Sequence, residues 1–369
     1  MAPHEFARAG GLRRWCNARR IRRNSSDACD VVTVLRALLG LAACLGAMLP
    51  GPVRALDRSQ LAVIVNVRDP LSVQIGEYYA QQRRIIFQNF IKVSFAPNRA
   101  MLTREDFEQI EEQVERQARP EIQAYALTWA APYRVECMSI TAAFAFGFDE
   151  ALCANGCKPT RRNPYFNSNS RLPFTQFRMR PTMSIAAQTI EDAKALIDRG
   201  VKSDGSQPKG TAYLVSTTDK SRDVRNAGYH QVDKLQTRGV RVRRIVRDEL
   251  RDVADVLFYF IGKERIRGLE TLGFLPGAIA DHVTSFGGEM PKSGQMSALR
   301  WLEAGATGSY GTVVEPCALP GKFPIPALVI GRYLAGETLI EAYWKSVLMP
   351  GQGIFIGEPL AAPFRQRER

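Results

Sequence analysis

The chain has 369 residues, of which 45% are hydrophobic and 24% are charged, with a formal net charge of +13. This is an ordinary globular composition with enough apolar residues for a sizeable core, and the length allows one large domain or two. Three histidines in the whole chain argue against a metal hydrolase built on several of them. No metal and no cofactor are predicted.

The first 55 residues have the features of an export leader. Residues 1–30 are rich in arginine, and the apolar run "VVTVLRALLGLAACLGAML" follows. Val53 and Ala55 then suit a small-residue cleavage site, so we predict a signal peptide over 1–55 and one elaborated α/β domain over 56–369. The alternative is an uncleaved membrane anchor, but Arg36 leaves an uninterrupted stretch of at most about 18 residues, which is marginal for a span. We therefore expect a protein of the periplasm, the cell envelope or the extracellular space.

Most of the excess positive charge is clustered. Nine of the 50 basic residues and three of the 37 acidic residues lie in the leader, so the remainder carries 41 and 34, a net charge of +7. The clusters are "RRNPYFNSNSRLPFTQFRMRP" and "QTRGVRVRRIVRDELRD". Such patches either attract acidic partners or anionic lipid, or are simply solvated surface, and the second interpretation is favoured. No segment is typical of nucleic-acid binding, and the membrane is expected to contact only an uncleaved leader.

After the leader, strands and helices alternate. Apolar runs predict strands over 60–70, 90–95 and 122–130. Between them, helical spacing of apolar residues predicts helices over 71–85 and 103–119. Strands that alternate with helices at this spacing indicate right-handed crossovers and a mostly parallel sheet.

The middle of the chain is less regular. Residues 139–150 suit either a helix or a strand, and residues 151–182 predict an irregular surface insertion. The rest again alternates: helices over 189–205 and 295–305, strands over 210–217, 252–262, 276–288 and 306–314, and a final helix, turn and strand. No repeat and no interdomain linker is visible. The predicted fold is a mostly parallel sheet flanked by helices.

Four cysteines remain once Cys16, Cys29 and Cys44 leave with the leader. In an oxidising compartment "CANGC" predicts a small disulfide loop between Cys153 and Cys157, with Asn-Gly supplying the turn. Cys137 and Cys317 then either pair with each other or stay free.

The candidate catalytic residues are His282 and Cys317. Ligand sites of open parallel sheets lie at the carboxyl ends of strands, where we place Asp69, His282 and Cys317. A cysteine nucleophile needs a base to form the thiolate, and an imidazole can act as that base. His230 lies in a polar stretch without a neighbouring strand, so His282 is the candidate. The alternative is structural: a hydrogen-bonded turn histidine and a buried or disulfide-bonded cysteine.

Neighbouring residues offer supporting roles. We expect Asp281 and Glu315 to orient the candidate pair, with a loop cap as the equal alternative for Glu315. We expect the backbone N–H groups near Gly287 and Gly288 to hold an oxyanion. Glycines of this kind more often only allow the backbone to turn.

Several long stretches carry a resemblance that covers about residues 58–364. "LAVIVNVRDPLSVQIGEYYAQQR", "LPGAIADHVTSFGG", "ATGSYGTVVEPC" and "EAYWKSVLMPGQGIFIGEP" resemble an uncharacterised bacterial family from species that carry the exosortase protein-sorting system. The resemblance implies an exported or envelope protein and no particular activity.

A second resemblance concerns the order of the elements. A strand with His282, a glycine turn, a helix, a strand followed by Cys317 and a late "IFIGEPLAAPF" are together similar to gingipain-like cysteine peptidases of the caspase fold. It implies a caspase-like three-layer sandwich, with His282 as base, Cys317 as nucleophile and a peptide or exported protein as substrate. Val283 follows the histidine where that group has glycine.

Two hypotheses follow. The first is an exported cysteine peptidase-like hydrolase that uses the Cys317–His282 pair. The second is a non-catalytic envelope protein whose caspase-like scaffold binds a protein or polysaccharide partner. The state of Cys317 discriminates between them, because only a free thiol can attack a carbonyl.

Overall fold

The computed structural model describes residues 55–154 and 157–366. The predicted leader therefore lies outside the described residues, apart from Ala55. The strands are β1 Leu61–Asn66, β2 Phe90–Val93, β3 Met101–Leu102, β4 Ala124–Leu127, β5 Arg134–Val135, β6 Met138–Ser139, β7 Thr182–Ser184, β8 Thr211–Ser216, β9 Arg241–Val246, β10 Val253–Gly262, β11 Leu272–Val283, β12 Gly308–Thr312 and β13 Gly353–Gly357. The α-helices are α1 Pro70–Arg83, α2 Arg104–Glu115, α3 Ile140–Phe146, α4 Pro173–Phe177, α5 Ile190–Ser203, α6 Leu299–Glu303, α7 Pro326–Leu334 and α8 Leu339–Trp344.

Ten of these strands form one sheet in the order β2-β1-β4-β7-β13-β12-β11-β10-β8-β9. Every neighbouring pair is parallel except β12 and β13. The sheet therefore has two parallel halves that run in opposite directions and meet at β12/β13. Within each half the first four strands in chain order are arranged 2-1-3-4. The predicted α/β class with a mostly parallel sheet is confirmed, whereas the repeated strand order was not visible in the sequence.

Three of the predicted helices, α1, α2 and α5, begin at polar capping residues. The Thr103 hydroxyl accepts a hydrogen bond from the Asp106 amide at the start of α2, and Thr189 does the same for α5. Such caps satisfy amides that lack a partner in the first helical turn. Asp69 caps α1 through the Leu71 amide at 3.0 Å. The sequence placed Asp69 among candidate site residues, but its carboxylate acts as a helix cap.

Burial explains which strands the sequence revealed. All six residues of β1 are buried, as expected for a strand covered on both faces. In contrast, β9 is an edge strand of sequence RVRRIV with no buried residue, and its charged residues hid it from a search for apolar runs. Charged side chains on an edge strand discourage pairing with another chain.

The ambiguous segment 139–150 contains helix α3, which Ser139 caps through the Ala142 amide at 3.0 Å. The predicted insertion over 151–182 is irregular except for short helical turns and the first residue of β7. It is not wholly superficial, because Asn163 and Tyr165 are buried. The Asn163 amide donates hydrogen bonds to the carbonyls of Trp344 and Val347, so this segment packs on the end of α8.

Two hydrophobic cores cover the sheet. The larger core extends through both halves, and the smaller one lies on one face of the second half, around Tyr259, Trp301 and Met296. The opposite face of that half is covered by α7 and the 3-10 segment Asp223–Lys234. Across 55–154 and 157–366, every helix is too short or too polar to cross a bilayer.

Candidate functional site

The two candidate catalytic residues lie at the same edge of the sheet. His282 is the penultimate residue of β11, and Cys317 follows the parallel neighbour β12. Asp69 follows β1, whose half of the sheet runs in the opposite direction, so it lies at the opposite edge.

The His282 side chain is enclosed and uses both of its ring nitrogens. It is 1% exposed. The Trp301 indole donates to Nδ1 at 2.9 Å, and Nε2 lies 3.1 Å from the Met296 carbonyl oxygen. Because an indole N–H can only donate, Nδ1 must be the acceptor and the ring proton must lie on Nε2. His282 therefore ties the end of β11 to α6 and to the segment before it.

This environment keeps the imidazole neutral. Burial lowers the pKa of His282 from 6.5 to about 3, against the opposing effect of the hydrogen bond to the Met296 carbonyl. A general base needs a pKa near the working pH and a free lone pair. His282 has neither, because the Trp301 indole occupies its only lone pair.

Asp281 does not orient His282. Successive side chains of a strand point to opposite faces, and the Asp281 carboxylate forms a buried ion pair with Arg225 on the other face of the sheet. Arg225 also donates to the carbonyl oxygen of Ile261 at 3.1 Å, and the Tyr343 hydroxyl lies 3.5 Å from the second carboxylate oxygen. The predicted orienting role of Asp281 is therefore wrong.

The glycine pair serves close packing. The Gly288 amide donates to the Thr312 carbonyl oxygen at 2.8 Å, so it does not present its N–H to a ligand. A Cβ on Gly311 of β12 would lie 2.4 Å from the backbone of Gly287. A Cβ on Gly288 would in turn lie 2.9 Å from the Gly311 carbonyl oxygen, so neither Gly311 nor Gly288 tolerates a side chain. This close approach locks the turn after β11 onto β12, and the Gly288 N–H is not available to an oxyanion.

The disulfide pairing differs from the prediction. Cys137 bonds Cys153, and Cys157 bonds Cys317, with sequence separations of 16 and 160. The predicted Cys153–Cys157 loop is wrong because Cys137, in the turn between β5 and β6, lies beside Cys153. Cys157 is left to pair with the loop after β12. Two disulfides are compatible with an oxidising location.

Cys317 consequently carries no thiol in this structure. Its amide donates to Glu315 Oε1 at 2.6 Å, so Glu315 caps the loop that contains Cys317. Cys317 and Ala318 both have positive φ angles, 57° and 51°, which L-residues rarely adopt. The disulfide holds this loop, and the pairing of Cys317 with His282 that a cysteine hydrolase requires is absent.

A cavity of about 580 Å³ opens beside this region. One wall is residues 265–270, in the connection from β10 to β11, and the other is residues 291–300, between β11 and β12. The walls are tied together: the Met296 amide donates to Glu264 O at 3.3 Å, and Arg265 donates to Gly294 O. The helix predicted over 295–305 begins only at Leu299, at the end of this wall.

The floor of the cavity is apolar. Ile266, Leu269 and Met296 line it and belong to the smaller core, yet each retains 5–7% exposure. The Met296 carbonyl is the group that accepts the hydrogen bond from His282. His282 therefore supports the cavity from below and does not line it.

The rim of the cavity is cationic. Arg265, Arg267, Lys292 and Arg300 line it, together with the single carboxylate of Glu270. Arg300 pairs with Glu303, and Arg265 has a distant partner in Glu264 at 3.9 Å. Arg267 and Lys292 are exposed and form no ion pair with any other described residue. The rim thus has a net positive charge that a bound anion can neutralise.

The sequence prediction missed this rim. "KERIRG" and "MPKSGQ" are separated by more than twenty residues, and each looks like an ordinary polar loop. Only the parallel pairing of β10, β11 and β12 brings the two connections together.

Comparisons with models of protein families, with curated proteins and with solved structures find no match for this chain. The residues of 55–154 and 157–366 contain no group of three or more His, Cys, Asp or Glu side chains arranged to hold a metal ion.

Proposed function

We propose that this chain is an exported, non-catalytic binding protein of the cell envelope and that its ligand enters the cavity between residues 265–270 and 291–300. In this proposal the leader over 1–55 directs export and is removed. The α/β scaffold is of the caspase-like kind that the sequence resemblance implies, without the catalytic pair.

The proposal rests on one observation: the candidate catalytic pair is closed to a substrate, whereas the cavity is open to solvent. The candidate nucleophile is a disulfide sulfur, and the candidate base is enclosed with both nitrogens bonded. Nothing in that pair is available to a substrate. The cavity, in contrast, has an apolar floor and presents Arg267 and Lys292 to solvent, and neither cation forms an ion pair with another residue of 55–154 or 157–366.

The lining favours an acidic peptide segment as the ligand. Arginine forks match carboxylates in bidentate geometry, which favours a ligand with acidic side chains. The floor of Ile266, Leu269 and Met296 is suited to an apolar side chain between them. A polysaccharide has no such side chain, and the cavity lining lacks an aromatic ring on which a sugar could stack. We therefore favour an acidic segment of another exported protein.

Fluorescence anisotropy with a labelled peptide of alternating glutamate and leucine tests this proposal. We expect saturable binding that weakens as salt is raised, because exposed charges are screened. The variant Arg267→Gln/Lys292→Gln should lose at least about tenfold in affinity, as expected when two charge-assisted contacts are removed.

The matched control is Arg243→Gln/Arg247→Gln. These two arginines lie in and just after edge strand β9, are exposed, and form no ion pair with any other described residue. The control removes the same charge away from the cavity. If both variants lose affinity equally, binding is a general effect of net charge and the cavity proposal is wrong. Preferential binding of an acidic polysaccharide such as polygalacturonate would contradict the peptide assignment.

The peptidase hypothesis has its own test. Iodoacetamide should not label Cys317 in the folded, unreduced protein, since the disulfide has no thiol. After mild reduction, labelling of Cys317 should proceed at the same rate in the wild type and in His282→Gln, because the enclosed imidazole activates nothing. A substantially slower rate in the variant would revive the Cys317–His282 pair.

A further inference from the structure

A buried cluster of charges surrounds Leu56. Leu56 is 1% exposed, and its backbone N–H donates to Glu341 Oε2 at 3.1 Å. The same carboxylate oxygen accepts from the amide of Thr338 at 3.0 Å and from its hydroxyl at 2.7 Å. On the other side of Leu56, Arg365 donates to its carbonyl oxygen at 2.8 Å. The Leu56 backbone is thus held at two points, 285 and 309 positions away in the chain.

The buried charges of this cluster, without the partly exposed Arg332, do not balance among the described residues. Glu341 and Lys345 are 0% exposed and Glu337 is 2% exposed. The Lys345 Nζ atom lies 3.0 Å from Glu337 Oε1 and 3.9 Å from Glu341 Oε1. Arg332 reaches Glu337 at 3.4 Å from a partly exposed position. Two buried carboxylates therefore share one buried amine, and Glu337 has Arg332 as a second partner, which leaves Glu341 the less well neutralised of the two. A buried charge without a full partner is strongly destabilising.

We propose that hydrolysis of the Ala55–Leu56 peptide bond completes this cluster, with the new α-ammonium of Leu56 as the buried counter-ion of Glu341. The inference rests on the exported, processed chain of the proposed function. A peptidase of the signal-peptidase class consumes one water, leaves a carboxylate on Ala55, which departs with the leader, and leaves an amine on Leu56 that takes up a proton. The atom that donates a neutral N–H to Glu341 then donates from a charged group, and such hydrogen bonds are roughly twice as strong.

Processing therefore acts as a maturation step for the fold. The buried members of the cluster become two carboxylates and two ammonium groups. The processed chain is expected to be more stable than the precursor, whose Leu56 nitrogen is a neutral amide.

The first experiment uses the wild-type chain, exported with its own leader into a bacterial periplasm and purified. Mass spectrometry should show that the mature chain begins at Leu56. N-acetoxysuccinimide should then acetylate the Leu56 amine of the folded protein at least about tenfold more slowly than exposed Lys209, because a buried, paired amine is shielded and charged. In denaturant the order should reverse, because an unfolded α-amine has a lower pKa than lysine and reacts faster at neutral pH. A different first residue, or equal reactivity of Leu56 and Lys209, would overturn the proposal.

Two isosteric variants distinguish the loss of the Leu56–Glu341 ion pair from a general loss of stability. Glu341→Gln should lower the melting temperature by several degrees and should expose the Leu56 amine to acetylation. Glu337→Gln disturbs the same cluster through Lys345 but does not contact Leu56, so it should lower the melting temperature and leave the amine protected. Acetylation that increases equally in both variants would show that protection reflects only packing.

These results are independent of ligand binding at the cavity. A chain that begins at Leu56 with a protected amine but binds no acidic peptide would contradict the proposed function alone. A chain that binds the peptide but begins elsewhere would contradict only the maturation step.

Discussion

The two halves of the sheet share one strand order but differ at their carboxyl ends. In the first half, the ends of β1 and β4 are closed by buried polar groups. Asn66 exchanges hydrogen bonds with the Phe95 backbone, and the Ser72 hydroxyl lies 2.6 Å from that of Thr128. In the second half, the connections after β10 and β11 form the walls of a cavity with an exposed cationic rim.

This difference shows that strand order does not by itself create a site. Open α/β sheets bind ligands in the crevice where the strand order reverses, beyond the carboxyl ends. Both halves have such a reversal, between β1 and β4 and between β8 and β10. In the first half, short polar side chains fill the space beyond the strand ends. In the second half, the long connections after β10 and β11 enclose a cavity. The loops therefore decide which half has an open cavity.

The largest expected effect concerns the link between the halves. Cys157 precedes β7 in the first half and Cys317 follows β12 in the second, so their disulfide joins the two halves, whereas Cys137–Cys153 closes a loop within the first. In the chain-entropy model, replacing both cysteines of a pair with alanine costs about 5 kcal/mol for the 160-residue loop and about 3 kcal/mol for the 16-residue loop. Urea unfolding monitored by circular dichroism measures both. Equal losses of unfolding free energy would show that linking the two halves stabilises the protein no more than closing the short loop does.

The second prediction concerns the buried ion pair of the second half. Arg225→Met leaves Asp281 buried without its partner and should destabilise the protein by about 3–5 kcal/mol. The exposed pair of Arg104 and Glu108 on α2 of the first half is the control, and Arg104→Gln should leave the midpoint of urea unfolding unchanged. A loss of less than about 1 kcal/mol for Arg225→Met would mean that Asp281 is readily protonated or hydrated.

The third prediction is a pH dependence specific to the second half. The pKa of His282 is about 3 in the folded protein, whereas the ordinary pKa of a histidine side chain is 6.5. Between pH 3 and pH 6.5 the unfolded chain binds a proton at this residue more readily than the folded chain does. The contribution of His282 to the free energy of unfolding is therefore complete above pH 6.5 and decreases as the pH drops towards 3. The loss from this residue between pH 8 and pH 5 is about 2 kcal/mol.

The test compares the free energy of unfolding of the wild type with that of His282→Gln at the two pH values. Their difference should narrow by about 2 kcal/mol at pH 5, because the variant has no imidazole to protonate. His230→Gln, which alters an exposed histidine, is the control and should follow the wild type. A constant difference between wild type and His282→Gln would show that His282 is not held neutral.

The smallest expected effect is on stability at the cavity rim. Arg267→Gln/Lys292→Gln should leave the melting temperature unchanged, because both side chains are exposed and lack ion-pair partners among the described residues. The same double variant is expected to lose peptide binding. A clear fall in melting temperature would indicate that these cations support the second half structurally, as Asn66 and Thr128 support the first.

Local signals predicted the elements well where they were strong. The apolar runs of β1, β10 and β11 and the capped, amphipathic helices α2 and α5 were all found from sequence. The edge strand β9 was missed because its arginines, exposed on both faces, leave no apolar period to detect.

The candidate site was predicted less well. The sequence placed His282 and Cys317 at one edge of the sheet, which the structure shows, but their roles depend on partners that are distant in the chain. Trp301 occupies the imidazole lone pair, and Cys157 occupies the sulfur. Neither contact has a local signature, because residue type and spacing do not specify which long-range partner a side chain meets.

The sequence by itself determined the α/β class and the order of most elements, because hydrophobic periodicity and capping are encoded within about fifteen residues. The export leader stays a prediction from the sequence. The tertiary structure alone decided the reversal of the sheet at β12/β13, the disulfide pairing, the burial of His282 and the meeting of Leu56 with Glu341. Each of these depends on contacts between segments far apart in the chain, and such contacts are selected by the packing of the whole sheet rather than by any local stretch.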